Sequence, residues 1–326
     1  MKRIRHICKK TADRTYMLMS NFYLQGRYYS WKFAFYCFMD WIGFYIRKPD
    51  LSHKYIQRKQ EWIDKYIEKN YSDIVEKYRN MEESTIMANP YRVWMFWGQG
   101  EKEMPPLVKA CYRQLCANSP VGGVELLDIS RIRNLIEIPK FVYEKLDQGK
   151  LLYAHFSDIL RNSLLAKYGG MWIDATCWTA HSLPDMVRES VFFSPHNKED
   201  GTYWCTYAMG SNRIGSITFS FVRDMLIAIC QKEKVWPDYL LQDRLLSFSY
   251  RNLAASRQVI DNTPTNNTRR FLLYPMMNKP FDQDFYNDLI STDWLFKLSY
   301  KSFFQKECDG KETFYSKMTD GSINSK

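Results

Sequence analysis

The chain has 326 residues, with 46 Lys and Arg against 36 Asp and Glu and a formal net charge of +10. That length suits one large α/β domain with an appendage, or two small domains. The charge is uneven: residues 1–80 hold 17 basic against 8 acidic side chains and the remainder 29 against 28, which argues against a nucleic-acid-binding surface on the body and sets the basic arm apart. The eight cysteines form no CxxC pair and no Cys/His zinc spacing, and no secretory signal peptide is expected. Free thiols in a reducing cytoplasm are expected.

Residues 1–50 are basic and aromatic. The most apolar part, Phe33 to Ile46, has only about half the length of a bilayer span and carries Asp40, so a transmembrane helix is not expected. Two readings stay open. One is interfacial attachment, with Trp31 and Trp41 at headgroup depth and Lys2, Arg3, Arg5, Lys9, Lys10, Arg47 and Lys48 facing anionic lipid. The other is a helical hairpin packed on the body. From His53 to about Glu83, Ile56, Ile63, Ile67, Ile74 and Tyr78 recur among charges at helical spacing. This predicts a long amphipathic helix, or two with a break near Asn70.

The body starts at Tyr91. Val93 to Trp97 reads as a buried first strand, followed by the loop Gly98-Gln99-Gly100 and a helix from Pro106 to Ala117. Val124 to Leu127 is the second strand, ending at Asp128, and a helical stretch runs from Pro139 to Leu146. Tyr153 to Thr176 (YAHFSDILRNSLLAKYGGMWIDAT) follows. Phe156, Ile159, Leu160, Leu164 and Tyr168 give its helix one buried face, Gly169 and Gly170 end that helix, and Met171 to Ile173 form a covered strand. Asp174 stands where the carboxyl end of a parallel strand opens onto a ligand crevice. Asp158 and Arg161, three apart, project from one side of the helix and with Asp174 make a charged cluster beside the glycine turn. At this spacing an Asp and an Arg also fit a plain surface ion pair.

Strand, helix, strand, helix, strand is the order of a nucleotide-binding half-sheet. Beyond it, Phe192 to Pro195 and Tyr203 to Met209 read as strands, Ile217 to Lys232 as a helix, and Asp238 to Arg251 as another. Asp243 lies on an otherwise apolar surface there, so it either faces solvent or belongs to a site. Gln258 to Pro280, rich in Asn, Thr, Pro and Met, suits a loop over an active site. The polar tail after Lys306 is expected to fray.

The block SDILRNSLLAKYGGMWIDAT resembles the signature of the capsular polysaccharide synthesis proteins, a branch of the sugar transferases that include yeast-type mannosyltransferases and the glucosyltransferase domains of clostridial toxins. Tyr91 to Gly100 (YRVWMFWGQG) is similar to that family's first strand and loop, and Phe296 to Lys301 (FKLSYK) to its closing motif, so the likeness runs collinearly over roughly residues 85–305. It implies a GT-A-like nucleotide-sugar-binding α/β fold with a single Rossmann-like mixed sheet. The organisation expected is an N-terminal helical extension over 1–84, a transferase domain over 85–306 and a polar tail over 307–326.

What the resemblance implies for function is a bacterial retaining glycosyltransferase of capsular or other surface polysaccharide synthesis, cytoplasmic and peripheral on the inner face of the plasma membrane. The donor would be a nucleotide sugar, UDP-linked by expectation, and the acceptor a saccharide that a lipid could carry; no nucleic-acid partner is expected. Trp97 would stack on the donor base beside Gly98, with Gly169 and Gly170 in the donor-binding set. Asp158 would accept bonds from donor hydroxyls, Arg161 would bind sugar or phosphate, and Asp174 would bind ribose and a metal, with Asp243 as a further catalytic acid. The family's acidic element is Asp-x-Asp, whereas this chain has Asp174-Ala175-Thr176. A divalent cation, Mn²⁺ or Mg²⁺, would then rest on Asp174 and Thr176, with Asp243 completing the shell or Lys297 and Lys301 sharing the compensation of the leaving diphosphate. The rival reading is a non-catalytic sugar-binding or scaffold protein of the assembly machinery.

Overall fold

The computed structural model describes residues 16–119 and 123–324. Five of the basic residues assigned above to anionic lipid, Lys2, Arg3, Arg5, Lys9 and Lys10, lie outside them. The body is built on a four-stranded sheet in the order β2-β1-β3-β5, with β1 Val93–Phe96, β2 Val124–Leu127, β3 Gly170–Ile173 and β5 Ala208–Ser211. β2, β1 and β3 run parallel, and β5 runs antiparallel to β3. The strands are apolar on both faces because helices cover both sides, as parallel strands require. This is the mixed α/β sheet that the resemblance implies.

β3 reaches β1 through an unusually close backbone approach. Gly170 has φ +87°, and a Cβ there would sit 2.2 Å from the Arg92 carbonyl oxygen, so no larger residue fits. Next to it the Trp94 indole donates to the Gly169 carbonyl at 2.8 Å. The helix before this turn, Tyr153–Tyr168, is covered nearly all round, with every residue from Ile159 to Ala166 buried. Two of its buried polar side chains bond back to the helix: Asn162 donates to the Asp158 carbonyl at 2.8 Å and Ser163 to that of Ile159 at 2.7 Å. A second ribbon pairs β4 Cys177–Thr179 antiparallel with β6 Leu295–Lys297, in a register that sets Cys177 opposite Lys297.

The arm forms the second of the two arrangements left open for it, a hairpin of helices Trp31–Tyr45 and Pro49–Asn70 packed on the body. Ser30 caps the first helix by accepting from the Phe33 amide at 3.1 Å, and Pro49 starts the second, where its missing N–H costs nothing. Phe33 is fully buried and stacks on Trp62 with centroids 4.2 Å apart. The hydroxyls of Tyr66 and Tyr71 both donate to Glu233, at 2.6 and 2.8 Å. The expected break falls after Asn70, and a short helix Ser72–Arg79 completes the brace. No helix among the described residues is long and apolar enough to cross a membrane.

Three expectations fail. The tail does not fray: a short β7–β8 hairpin (Glu307–Cys308, Lys311–Glu312) leads into helix Phe314–Asp320, which lies against helix Pro106–Asn118. Phe314 and Met318, four apart, give that polar segment a buried apolar face, and the Thr313 side chain caps it. Phe192 to Pro195 forms no strand, only an isolated bridge from Phe193 to Gly210, and the strand expected from Tyr203 begins at Ala208. The stretch 258–280 opens in helix Ala254–Asp261 and then runs beside β6, where the Asn267 side chain accepts from the Leu295 amide at 2.9 Å. No residue from it lines the main polar cavity, so it is a splint for β6 and not a cover over the site.

Candidate active site

The carboxyl ends of β1 and β3 open onto a cavity of about 290 Å³. Phe96 and Trp97 line it from β1 and its loop, Ser157, Asp158 and Arg161 from the central helix, Trp172, Asp174, Ala175 and Thr176 from β3 and its turn, and Tyr239, Leu240 and Asp243 from the segment before and into helix Leu241–Asn252. This crevice is where an open α/β sheet offers a ligand the most backbone and side-chain ends.

Arg161 is its organising cation and is 5% exposed, so the surface-pair alternative does not hold. One terminal nitrogen donates to Asp158 at 3.3 Å and to the Gln242 side-chain oxygen at 2.9 Å, and the other to Asp174 at 3.1 Å. The guanidinium lies 5.0 Å from the centre of the Trp172 ring, whose indole N–H donates to the same Asp174 oxygen at 2.9 Å. Arg161 Nε is buried without a partner, as is Trp97 Nε1.

Lys297 reaches the other Asp174 oxygen at 2.8 Å and the Thr176 hydroxyl at 2.9 Å. The β4–β6 register delivers it there, with the Leu298 amide bonding the Thr176 carbonyl at 2.9 Å beside it. The Tyr207 ring covers the ammonium at 5.0 Å.

Three carboxylates thus face two cations, and their titration divides accordingly. Burial raises the Asp158 carboxyl, Arg161 opposes this, Asp243 and Asp174 add to it, and the outcome is about 7. Asp243 is likewise pushed up to about 6, by burial first, with Arg244 and Arg161 opposing and Asp238 adding. For Asp174, burial is outweighed by Lys297 and Arg161, which hold it below the usual carboxylate range. Burial would lower the Lys297 ammonium, but Asp174 outweighs it and keeps Lys297 charged. The cavity therefore carries a fixed Asp174–cation core and two carboxyls that take up or release a proton near neutrality.

The residues expected from the sequence separate into two groups. Asp158, Arg161, Asp174, Thr176, Asp243, Lys297 and Trp97 converge. Gly169 and Gly170 do not: they sit at the other end of β3, on the order of 13 Å from Asp174 at strand rise, and their place is set by backbone crowding against Arg92, Ser211 and Arg213. Lys301 is exposed outside the cavity lining, because the chain turns away after β6. Gly98 packs against Tyr153 and Phe96 beside the cavity, where a Cβ would come within 2.9 Å of Tyr153. Gln242, Trp172 and Tyr207 were not anticipated. Gln242 had a faint signal, being an amide on the apolar side of a helix next to Asp243, which needs a buried partner.

The two donors expected to hold a divalent cation, Asp174 and Thr176, are both bonded to Lys297, with Asp158 and Asp243 lining the same cavity. Among the described residues no three His, Cys, Asp or Glu side chains come together to hold a metal ion. A hard cation wants several oxygens free to face it, and at Asp174 and Thr176 it would have to displace Lys297 to find them.

The fold and cavity define a mixed α/β protein with a polar, charged site at its strand ends. The chain belongs to the capsular polysaccharide synthesis protein family, whose family model matches residues 44–318. That span takes in helix Pro49–Asn70 and most of helix Phe314–Asp320 as well as the α/β body. Among solved structures the chain is similar to one titled "PaToxG Glycosyltransferase", with a TM-score of 0.33 and 16% identity over 64% of this chain and 91% of that one. No curated protein matches it.

Proposed function

We propose that the protein is a retaining glycosyltransferase that moves a sugar from a nucleotide-sugar donor, UDP-linked, to a saccharide acceptor in capsular or related surface polysaccharide synthesis. The observation that carries this reading is the convergence of Asp158, Arg161, Asp174 and Lys297 at the carboxyl ends of the parallel strands, beside Trp97. Family membership supplies the biological setting.

In this reading Trp97 offers its ring and unpartnered N–H to the base, and Asp158 orients sugar hydroxyls. Glycosyl transfer breaks the bond between the anomeric carbon and the diphosphate oxygen, and negative charge grows on the departing diphosphate. Arg161 and Lys297, both already held in place, meet that charge without reorganising. Asp174 fixes the two cations, and Asp243 stands ready to take the acceptor hydroxyl proton. The enzyme would work at the cytoplasmic face of the membrane, touching it through the exposed aromatics of its arm.

The test is release of nucleotide from a panel of nucleotide sugars by the purified chain, with Mn²⁺, Mg²⁺ and EDTA. Turnover of one donor, lost in Arg161→Ala and Asp174→Asn, is expected. No turnover and no binding across the panel would overturn the reading in favour of a scaffold protein.

A further inference from the structure

A second cavity, of about 580 Å³, lies between the N-terminal hairpin and the segment 238–240. It is walled mainly by apolar side chains, among them Phe22, Phe38, Trp41, Phe44 and Ile56. Its charged members are spent on one another: Lys59 bridges Asp40 at 2.7 Å and Asp238 at 3.0 Å, and Arg244 holds Asp238 at 3.0 Å. What it presents to a ligand is therefore a hydrocarbon surface, in the size range of about 300–1,000 Å³ that accepts a molecule and not just a side chain.

This groove shares two lining residues with the polar cavity. Tyr239 and Leu240 line both, and they stay 63% and 47% exposed although one is aromatic and both are large. A molecule lying across them would place an apolar end in the groove and a polar end at Asp243. Trp31, Phe44 and Tyr45 are also more than half exposed on the same hairpin, in the half of the chain that carries its excess positive charge.

Resting on the transfer reading above, we infer that the groove seats the hydrocarbon chain of a lipid-linked saccharide acceptor, whose sugar end crosses Tyr239 and Leu240 to reach the donor. A protein partner has no comparable claim, because only a ligand with one apolar and one sugar-like end uses both cavities at once. The groove then sets acceptor choice by the length of the apolar tail, while the polar cavity sets donor choice.

The experiment uses the full chain with methyl, octyl and dodecyl glycosides of one sugar, each below its micellar concentration, as binding ligands and as acceptors. Affinity should rise tenfold or more from methyl to dodecyl, since each buried methylene strengthens binding severalfold. Trp41→Ser and Phe44→Ser should abolish that rise while leaving acceptor-free nucleotide release unchanged; Phe44 is 80% exposed, so its variant retains the fold. Equal affinity for all three glycosides, with donor turnover intact, overturns the groove assignment alone. So does a chain-length preference that both variants keep. If both variants instead lose binding to anionic vesicles while glycoside affinity stays flat, the aromatics serve a bilayer surface and the inference falls. No nucleotide release from any donor overturns the transfer reading and, with it, the acceptor assignment.

Discussion

Two buried charge clusters lie on either side of Tyr239 and Leu240, and they are built on opposite plans. On the hairpin side, Asp40 and Asp238 face Lys59 and Arg244, two against two, and burial of Asp238 is outweighed by Lys59 and Arg244, which hold its carboxyl low. On the cavity side three carboxylates face two cations, two carboxyls are driven up toward neutrality, and Arg161 keeps a nitrogen without a partner. A balanced cluster has nothing left to offer a ligand. An unbalanced one does, and that imbalance marks the site more sharply than charge or burial alone.

The comparison breaks most easily at its two central cations. Arg161→Ala should cut nucleotide release about a thousandfold, as loss of a preorganised charge clamp does. Lys59→Met should leave turnover at low temperature within about twofold while costing on the order of 3–5 kcal/mol of stability, because Asp40 loses the cation it bridges and buried Asp238 keeps only Arg244. Urea unfolding beside a donor-hydrolysis assay reads both, and a reversal of the two effects would end the distinction between structural and functional cluster. Next in size is Lys297→Ala, expected to lower turnover about a hundredfold, with EDTA costing wild type less than about twofold. A deep EDTA effect would show that a metal displaces Lys297 from Asp174 after all.

The titration sharpens the contrast further. Asp158 and Asp243 keep protons in the folded state over a range where the unfolded chain, with aspartates at 3.8, has lost them. Their stabilising contribution is complete below about pH 4 and is lost as pH rises through 6 to 7. Asp158→Asn should therefore match wild-type stability near pH 4 and exceed it above pH 7, by on the order of 1–3 kcal/mol. Turnover should rise over the same window as Asp243 becomes a base, and Asp243→Asn should remove that limb. The smallest effect belongs to Gln242→Ala, a few-fold in turnover, since it loses one bond to a charged group; an unchanged pH profile would mark it as a positioning residue.

Much of this was legible in the chain itself. Helical spacing located Tyr153–Tyr168 and Ile217–Lys232 to the residue, and the apolar runs located β2 and β3, because those signals are local. Asp158 and Arg161 were legible as neighbours, being one helix turn apart, and Asp174 as the end of the strand that follows their helix across the glycine turn. Lys297 belonged with Asp174 only through the β4–β6 register, a pairing across more than a hundred residues that no periodicity reports. Glycines 169 and 170 misled for a related reason: adjacency to the acidic turn in sequence puts them at the far end of the strand. The C-terminal helix was hidden by its polar composition, with Phe314 and Met318 too sparse to read as a core face until helix Pro106–Asn118 covered them.

Segment 238–243 has one further implication, for how the molecule is divided. Within six residues Asp238 grips the hairpin, Tyr239 and Leu240 floor both cavities, Gln242 steadies Arg161, and Asp243 enters the site. A cut at residue 84, where composition changes, would strip Lys59 from Asp238 and leave that buried carboxylate to Arg244 alone, a few residues from the chemistry. The arm is therefore not a detachable module: a fragment starting at 85 should not yield a working catalyst, and arms exchanged between relatives should function only when they bring a matching partner for Asp238.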